Sequence, residues 1–230
     1  MAMLKMQHPE SPESISYADV DALRMGPRAV KGIFDFLWNC YADLGWISAM
    51  TTPAGVMRFA SGELRDLSRR GRLVLHLVPE SGAAGVRERH GIIGSDSAFE
   101  GAARRLREAS IEVGGVFVLG AGGVDESSGH VTASATLAEM MRVDHVTWLA
   151  EGGAGPLVER QGGLDELRGF VARANLREAL LTADLHVDET AFVGRLPSGR
   201  DELLRRLDAA RARADGRDLA SPRERLPRPD

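Results

Sequence analysis

Glycine, hydroxyl and acidic residues follow an apolar run at residues 115–131, which read GVFVLGAGGVDESSGHV. Gly120 and Gly122 would let backbone amides approach an anion closely, and Asp125, Ser128 and Gly129 come just after them. Glycine also turns a chain sharply after a buried strand. The stretch therefore predicts either a phosphate-binding loop or the tight exit of a strand.

Small and polar residues also follow other apolar runs. The pair Glu80 and Ser81 ends one run, Asp96 and Ser97 open a helical pattern, and SGE at 61–63 precedes another helix. Ligands of open α/β sheets bind outside the carboxyl ends of the strands. We therefore expect these segments to form one binding edge.

The elements that must position these residues alternate along the chain. Strands are predicted at 72–79, 115–120, 144–150 and 180–187, with a short one at 56–60. Amphipathic helices are predicted at 95–109, 133–142 and 164–171, with a C-terminal helix opening at Ser198. This alternation predicts a mostly parallel, Rossmann-like sheet with helices on both faces, preceded by a small helical part at 17–48.

Composition divides the chain into four segments. Residues 1–14 and 213–230 are rich in polar residues and proline and are expected to be disordered. Residues 15–52 are assigned to the helical N-terminal part, and residues 53–212 to the α/β ligand-binding domain.

Charge and cysteine content exclude several classes of function. The 29 Lys and Arg are interspersed with 33 Asp and Glu, giving a net charge of −4, so direct nucleic-acid binding through a basic field is not expected. The single cysteine, Cys40, cannot form an intrachain disulfide. No apolar stretch is long enough to span a membrane, and the first residues lack a signal-peptide pattern. A cytoplasmic protein is expected.

Six short motifs follow one another over residues 20–155. They are ALRMGPRAV, VMRFASGELRDL, LVPESGAAG, GIIGSDSAFEGAARRL, VFVLGAGGVDESSGHVTASATLAEMM and VDHVTWLAEGG. In this order the sequence resembles the family of eukaryotic initiation factor 2B alpha, beta and delta subunits, methylthioribose-1-phosphate isomerase and ribose-1,5-bisphosphate isomerase. The resemblance implies a NagB/RpiA/CoA-transferase-like sheet and a phosphorylated sugar or nucleotide as ligand.

The resemblance assigns binding roles to several positions before the central strand. Arg28 matches an arginine that helps bind substrate phosphate in the enzymes, and Ser61 and Gly62 lie where the enzymes carry their catalytic cysteine. Glu80 and Ser81 match a Glu-Ser pair, although the arginine that follows in the family is replaced here by glycine. Asp96 and Ser97 match the start of the next helix.

The family's catalytic groups are missing from the central strand. Its Gly-Ala-Asp reads Gly120-Ala121-Gly122 here, so the carboxylate used for proton transfer is absent. Its Asn-Gly reads Ser128-Gly129, and a lysine further on is also lost. The resemblance therefore implies a non-catalytic binding or regulatory relative that acts as a homodimer or beside a related subunit, with no cofactor.

Two alternatives stay open beside that hypothesis. One is an aldose-ketose isomerase for a 1-phosphorylated ribose, with its catalytic groups moved to Asp96 or Asp125. The other is a subunit that works only through protein contacts.

Three further constellations are weighed and set aside. A metal site of Glu88, His90, Asp96 and His130 fits no known ligand spacing. A serine hydrolase using Ser81 or Ser128 lacks the Gly-x-Ser-x-Gly elbow. A dinucleotide site lacks the Gly-x-Gly-x-x-Gly spacing.

Overall fold

The computed structural model describes residues 3–6, 13–18, 21–150, 157–185 and 191–219. The strands are β1 (Met3–Met6), β2 (Ser14–Ala18), β3 (Trp46–Thr51), β4 (Arg72–Glu80), β5 (Glu112–Leu119), β6 (His145–Ala150), β7 (Ala179–Asp184) and β8 (Phe192–Leu196). The α-helices are α1 (Pro27–Cys40), α2 (Pro53–Met57), α3 (Ser61–Ser68), α4 (Ala84–Arg89), α5 (Asp96–Glu108), α6 (Gly123–Met141), α7 (Leu157–Arg173) and α8 (Arg200–Leu219). A short 3-10 helix covers Ala22–Met25.

These strands form one sheet in which the spatial order equals the chain order, from β1 to β8. Strands β2 to β7 are parallel, while β1 and β8 pair antiparallel at the two edges. The predicted α/β fold with a mostly parallel sheet is confirmed. The strand order never reverses, so the described sheet lacks the switch point at which doubly wound sheets bind their ligands.

The helices pack side by side on one face of this sheet. Helix α3 contacts α1 and α5, and from α5 onwards each helix contacts the next as far as α8. The sheet residues under them are fully buried; for example, Phe117 and Trp148 on neighbouring strands stack on each other, and Phe170 of α7 packs against both rings at an angle. Right-handed crossovers between consecutive parallel strands place the connecting helices on the same face in this way.

The opposite face of the sheet is strongly concave. Trp46 begins β3 and His145 begins β6, which would separate them by about 14 Å across three strand spacings of a flat sheet. Their ring centroids are 6.2 Å apart. The sheet therefore curls around this face, and side chains rather than helices meet across it. Helices on both faces, as expected from the alternation, are not found among the described residues.

The N-terminal region differs from the predicted helical part. Strands β2 and β3 both lie within it and pair with each other in the sheet, so only α1 and the 3-10 helix are helical. The strand predicted at 56–60 is instead the end of α2 and the turn after it. Periodicity cannot separate short apolar runs of these two kinds.

Several elements begin or end at residues other than those predicted. Residues 3–6 form β1 although 1–14 were expected to be disordered, while residues 7–12 lie outside the described residues. Helix α6 begins at Gly123, ten residues before its predicted start, so Asp125, Ser128 and Gly129 are helical. Helix α8 reaches Leu219, and the rest of the predicted tail is outside the described range. No described helix has the length and apolar character needed to span a membrane.

Candidate functional site

The carboxyl ends of β4 and β5 bring several predicted site residues together. Glu80 and Ser81 leave β4, and Gly120 and Gly122 leave β5 just before α6. We call the edge formed by the carboxyl ends of β2 to β7 the carboxyl edge. The loops that follow β4 and β5 are short, and polar groups of these two strand ends hydrogen-bond to residues of α6 and α7.

A buried hydrogen-bond chain connects Ser81 to His130 of α6. The Ser81 Oγ lies 2.7 Å from His130 Nδ1, and His130 Nε2 lies 3.1 Å from the carbonyl oxygen of Val118. A carbonyl only accepts, so Nε2 carries the proton and Nδ1 accepts from the Ser81 hydroxyl. The amide of Ala83 donates to Ser81 Oγ at 3.0 Å. Every member of the chain therefore has a partner.

This arrangement does not provide a nucleophile. Ser81 and His130 are both 0% exposed, and the second imidazole nitrogen meets a carbonyl rather than a carboxylate. Burial lowers the pKa of His130 below its usual value, against the opposing attraction of Glu166. A neutral, enclosed imidazole joins α6 to the ends of β4 and β5, so the pair has a structural role.

A carboxylate already occupies the glycine turn after β5. Glu166 of α7, 3% exposed, accepts from the amide of Gly120 at 2.7 Å and from the Ser127 hydroxyl at 2.7 Å. This is the position that a phosphate would take in the predicted loop. The sequence gives no sign of it, because Glu166 comes from a helix 46 residues away. The turn is therefore closed to an external anion.

Gly122 leaves no room for the carboxylate that the family would place there. A Cβ at this position would lie 2.8 Å from the Cβ of His130. Gly122 is buried against α6, whereas Asp125, Ser128 and Gly129 are exposed on the first turns of that helix. The structure therefore does not bring these three residues into the same enclosed space as Gly122.

A buried arginine organises the loop after β4. Arg87, 2% exposed, donates through Nη1 to the carbonyls of Ser81 at 3.0 Å and Gly82 at 2.7 Å, and through Nη2 to Asp96. The Ser97 hydroxyl hydrogen-bonds to that of Ser95, the N-cap of α5. Asp96 is therefore the ion-pair partner of a buried arginine.

Glu80 belongs to the rim of this edge. Its backbone has φ +57°, and its carboxylate lies 3.3 Å from His90 Nδ1. Next to it, Arg89 and Glu126 form a 2.7 Å ion pair that connects α4 to α6. Acidic groups at this rim are therefore matched by basic groups of the same chain.

Ser61 and Gly62 lie away from these residues. Both are exposed in the first turn of α3, just after Phe59, whose carbonyl accepts from Arg105 in the last turn of α5. Helix α5 begins at the carboxyl edge and runs towards the opposite edge, so its last turn lies away from the carboxyl edge. Ser61 therefore does not join the other predicted residues.

Arg28 lies at the N-terminus of α1, beyond the end of β3. That strand end is closed by Asp21, which accepts from the hydroxyls of Thr51 and Thr52 at 2.9 Å each. Arg28 itself is exposed in the first turn of α1. The N-cap of α1 is Gly26, at φ +83°, which gives no side-chain hydrogen bond to the helix.

The N-terminus of α1 differs from those of α3, α5, α6 and α8. The first turns of these four helices carry carboxylates: Glu63 in α3, Asp96 in α5, Asp125 and Glu126 in α6, and Asp201 and Glu202 in α8. The first turn of α1 has no acidic residue. Its free amides and helix dipole are therefore not compensated by a carboxylate in that turn.

The groups considered for a metal site do not converge. His90 contacts Glu80, His130 is enclosed with Ser81, and Asp96 is held by Arg87. Across the described part of the chain, no three His, Cys, Asp or Glu side chains are arranged to hold a metal ion.

Comparison with known proteins leaves the chain without an assigned family. No family model and no curated protein matches it. Among solved structures, the crystal structure of methylornithine synthase is similar at a TM-score of 0.45 and 12% identity. The match covers 85% of this chain and 66% of that one.

Proposed function

We propose that this protein binds a phosphorylated sugar or nucleotide without converting it, and that the phosphate lies at the N-terminus of α1 beside Arg28. The observation that carries the proposal is the composition of that first turn. It combines an exposed arginine and an uncapped helix end with no acidic residue.

Helix geometry and charge both favour an anion at this position. The first amides of a helix have no intrahelical acceptor, and the dipole adds partial positive charge at the same end. Arg28 can add a charge-assisted hydrogen bond to phosphate. The glycine turn after β5 cannot bind the phosphate instead, because Glu166 already accepts the hydrogen bond from the Gly120 amide.

The absence of turnover is proposed from the same residues. Gly122 supplies no carboxylate, and Asp96 is engaged by Arg87. Asp125 is exposed on α6, outside any enclosed space. A proton-transfer pair for aldose-ketose isomerisation is not assembled by these side chains.

Kinship with the initiation factor 2B and methylthioribose-phosphate isomerase family is a separate proposal. It rests on the order of the six motifs alone. A role beside a homodimer partner or related subunit and a cytoplasmic location are proposed with it. Phosphate binding at α1 could hold without this kinship.

Calorimetric titration with ribose 1,5-bisphosphate and adenosine monophosphate tests the binding site. We expect saturable binding of at least one of them, weakened about tenfold or more in Arg28→Ala because a charged hydrogen bond is lost. Arg104→Ala removes an exposed arginine from α5 and serves as the matched control. Equal affinities in wild type and Arg28→Ala would overturn the proposed site.

A second candidate function is protein binding at the rim of the carboxyl edge. Ile93 is 91% exposed and Val124 95% exposed, and both adjoin the helices joined by the Arg89–Glu126 ion pair. Exposed large apolar side chains beside charged groups are typical of contact surfaces. If a partner binds here, Ile93→Asp abolishes its binding while Phe36→Asp, on α1, preserves it.

A further inference from the structure

Helix α1 is the first helix of the layer on the convex face, and only part of its surface is used within the chain. Its buried residues Val30, Phe34 and Leu37 belong to the hydrophobic core. One flank contacts α3, and there Arg70, just beyond the end of α3, forms a 3.2 Å ion pair with Asp35. The other flank of α1 is exposed.

This exposed flank carries uncharged, mostly apolar residues, which we call the α1 stripe: Ala29, Gly32, Ile33, Phe36 and Cys40. Spacings of three, four and seven residues place them on one side of the helix. Phe36 is 63% exposed, Ile33 is partly exposed, and the other three are exposed. A continuous exposed apolar stripe of this kind is typical of a contact surface.

Gly32 leaves a gap in the middle of the α1 stripe. Glycine inside a helix lowers its stability relative to alanine. A Cβ at Gly32 would meet no neighbouring atom within 4 Å, so the fold of one chain does not require glycine at this position. The gap allows another helix to approach the backbone of α1 closely.

The α1 stripe is complementary in shape to a second copy of itself. Gly32 and Phe36 are four residues apart, so a gap and a projecting ring lie one helical turn apart on the same side. If two copies of α1 pack antiparallel about a two-fold axis midway between these residues, each Phe36 ring lies on the Gly32 of the other copy. Each contact then occurs twice, as two-fold symmetry requires.

The charges of α1 favour the same antiparallel arrangement. Its first turn carries Arg28 and no acidic residue, and its last turn carries no basic residue. The helix dipole adds partial positive charge at the first end and partial negative charge at the last. Antiparallel pairing places each positive end beside the negative end of the other copy, whereas parallel pairing would place like ends together.

We propose that two copies of this chain form a two-fold symmetric dimer through the α1 stripe. The proposal rests on the homodimer that belongs to the proposed function, and it names the surface through which that dimer forms. A helix of 14 residues is about 21 Å long, so one pair of such helices gives a small contact. The dimer is therefore reversible, with a Kd in the micromolar range.

Sedimentation velocity of the full chain from about 5 to about 500 μM tests the proposal. We expect the mass of the wild type to rise from that of one chain towards that of two. Phe36→Glu puts a charge into both copies of the central contact and should weaken the dimer about tenfold or more. Met57→Glu changes an apolar residue of α2 that is 59% exposed, and it should dimerise as the wild type does.

Gly32→Leu tests the close approach of the two helices. Leucine fills the gap that receives Phe36 and should weaken the dimer about tenfold or more, although it favours the helix in the monomer. Gly129→Leu makes the same exchange at an exposed position of α6 where a Cβ also meets no neighbour, and it should leave the dimer unchanged. Thermal melting establishes that each variant is folded. A wild type that stays monomeric throughout, or undiminished dimerisation of folded Phe36→Glu or Gly32→Leu, would overturn the proposal.

Titration with ribose 1,5-bisphosphate and adenosine monophosphate separates the dimer from the proposed phosphate site. Phe36 lies about two turns from Arg28, so Phe36→Glu should bind phosphate as the wild type does. A monomeric wild type that binds either compound would overturn only the dimer. A dimeric wild type that binds neither would overturn only the phosphate site.

Discussion

Ser81, His130 and Glu166 show how the carboxyl edge uses its polar side chains. The hydroxyl of Ser81 donates to His130, and Glu166 accepts from Gly120 and Ser127. Each of these bonds connects two elements that are distant in sequence. Groups that resemble catalytic or anion-binding residues in type are therefore engaged in holding the edge together.

Substitution of Ser81 tests the structural role of this chain. Ser81→Ala leaves the buried Nδ1 of His130 and the amide of Ala83 without their partner, which should lower the free energy of unfolding by about 1–3 kcal/mol. Urea denaturation measures the change. Ser128→Ala, at an exposed position of α6, should change it by less than about 0.5 kcal/mol. Equal stability of the two variants would exclude the structural role.

The stability of the fold should depend on the protonation of His76. Burial, with a smaller contribution from His145, lowers the pKa of His76 to about 4. In the unfolded chain it titrates near 6.5. Between these values the unfolded state binds more protons, so this residue makes the free energy of unfolding fall by about 3 kcal/mol as pH drops from 6.5 to 4.

Urea denaturation across pH 4–7 measures this dependence. The His76→Leu variant should show a correspondingly smaller slope in that window. His90→Gln, at the rim beside Glu80, should keep the wild-type slope. Identical slopes in wild type and His76→Leu would contradict the assigned pKa. The other ionisable groups on this side of His76 are His145, which contacts its ring, and the Glu112 and Arg72 pair next to His145.

At the scale of elements, local signals predicted some helices well and others poorly. Helix α5 was predicted almost to the residue, because Ser95 caps it and Phe99, Ala102, Ala103 and Leu106 form one apolar face. Strands β2 and β3 were missed, since each is a run of five or six residues with no clear alternation. Their place depends on pairing with distant strands, which periodicity does not report.

The candidate site was less predictable than the fold for the same reason. Glycines after β5 were correctly placed at the carboxyl edge, but Glu166 and Arg87, which bond to the backbone there, come from other elements. The glycine turn predicts an anion-binding loop only if the chain supplies no anion itself. That condition depends on tertiary contacts.

Gly114 tests how closely β4 and β5 depend on each other. Gly114→Ala places a Cβ against the His76 ring and should lower the free energy of unfolding by about 1–3 kcal/mol. In the double variant His76→Ala/Gly114→Ala the clash is gone, so the two effects should be less than additive. A double-mutant cycle by thermal or urea unfolding measures the coupling. Strict additivity would show that the two positions do not interact.

At the scale of the whole molecule, the strand order follows the chain order and the sheet curls, so its two faces differ. The convex face carries the helices and the apolar core, and on the concave face the rings of Trp46 and His145 lie against each other. The carboxyl edge adds the α1 N-terminus, where a carboxylate is missing from the first turn. The phosphate site that we propose lies at this helix end.

Binding without turnover is the central claim, and phosphorus NMR of ribose 1,5-bisphosphate mixed with the protein tests it most directly. With wild-type protein and with Arg104→Ala, the account predicts that the phosphorus resonances of ribose 1,5-bisphosphate broaden or shift. With Arg28→Ala they should keep the position and width of the free compound. No new resonances should appear over hours in any of the three samples. Appearance of the ketose bisphosphate, lost when Asp96 or Asp125 is changed to Asn, would contradict it and favour an isomerase.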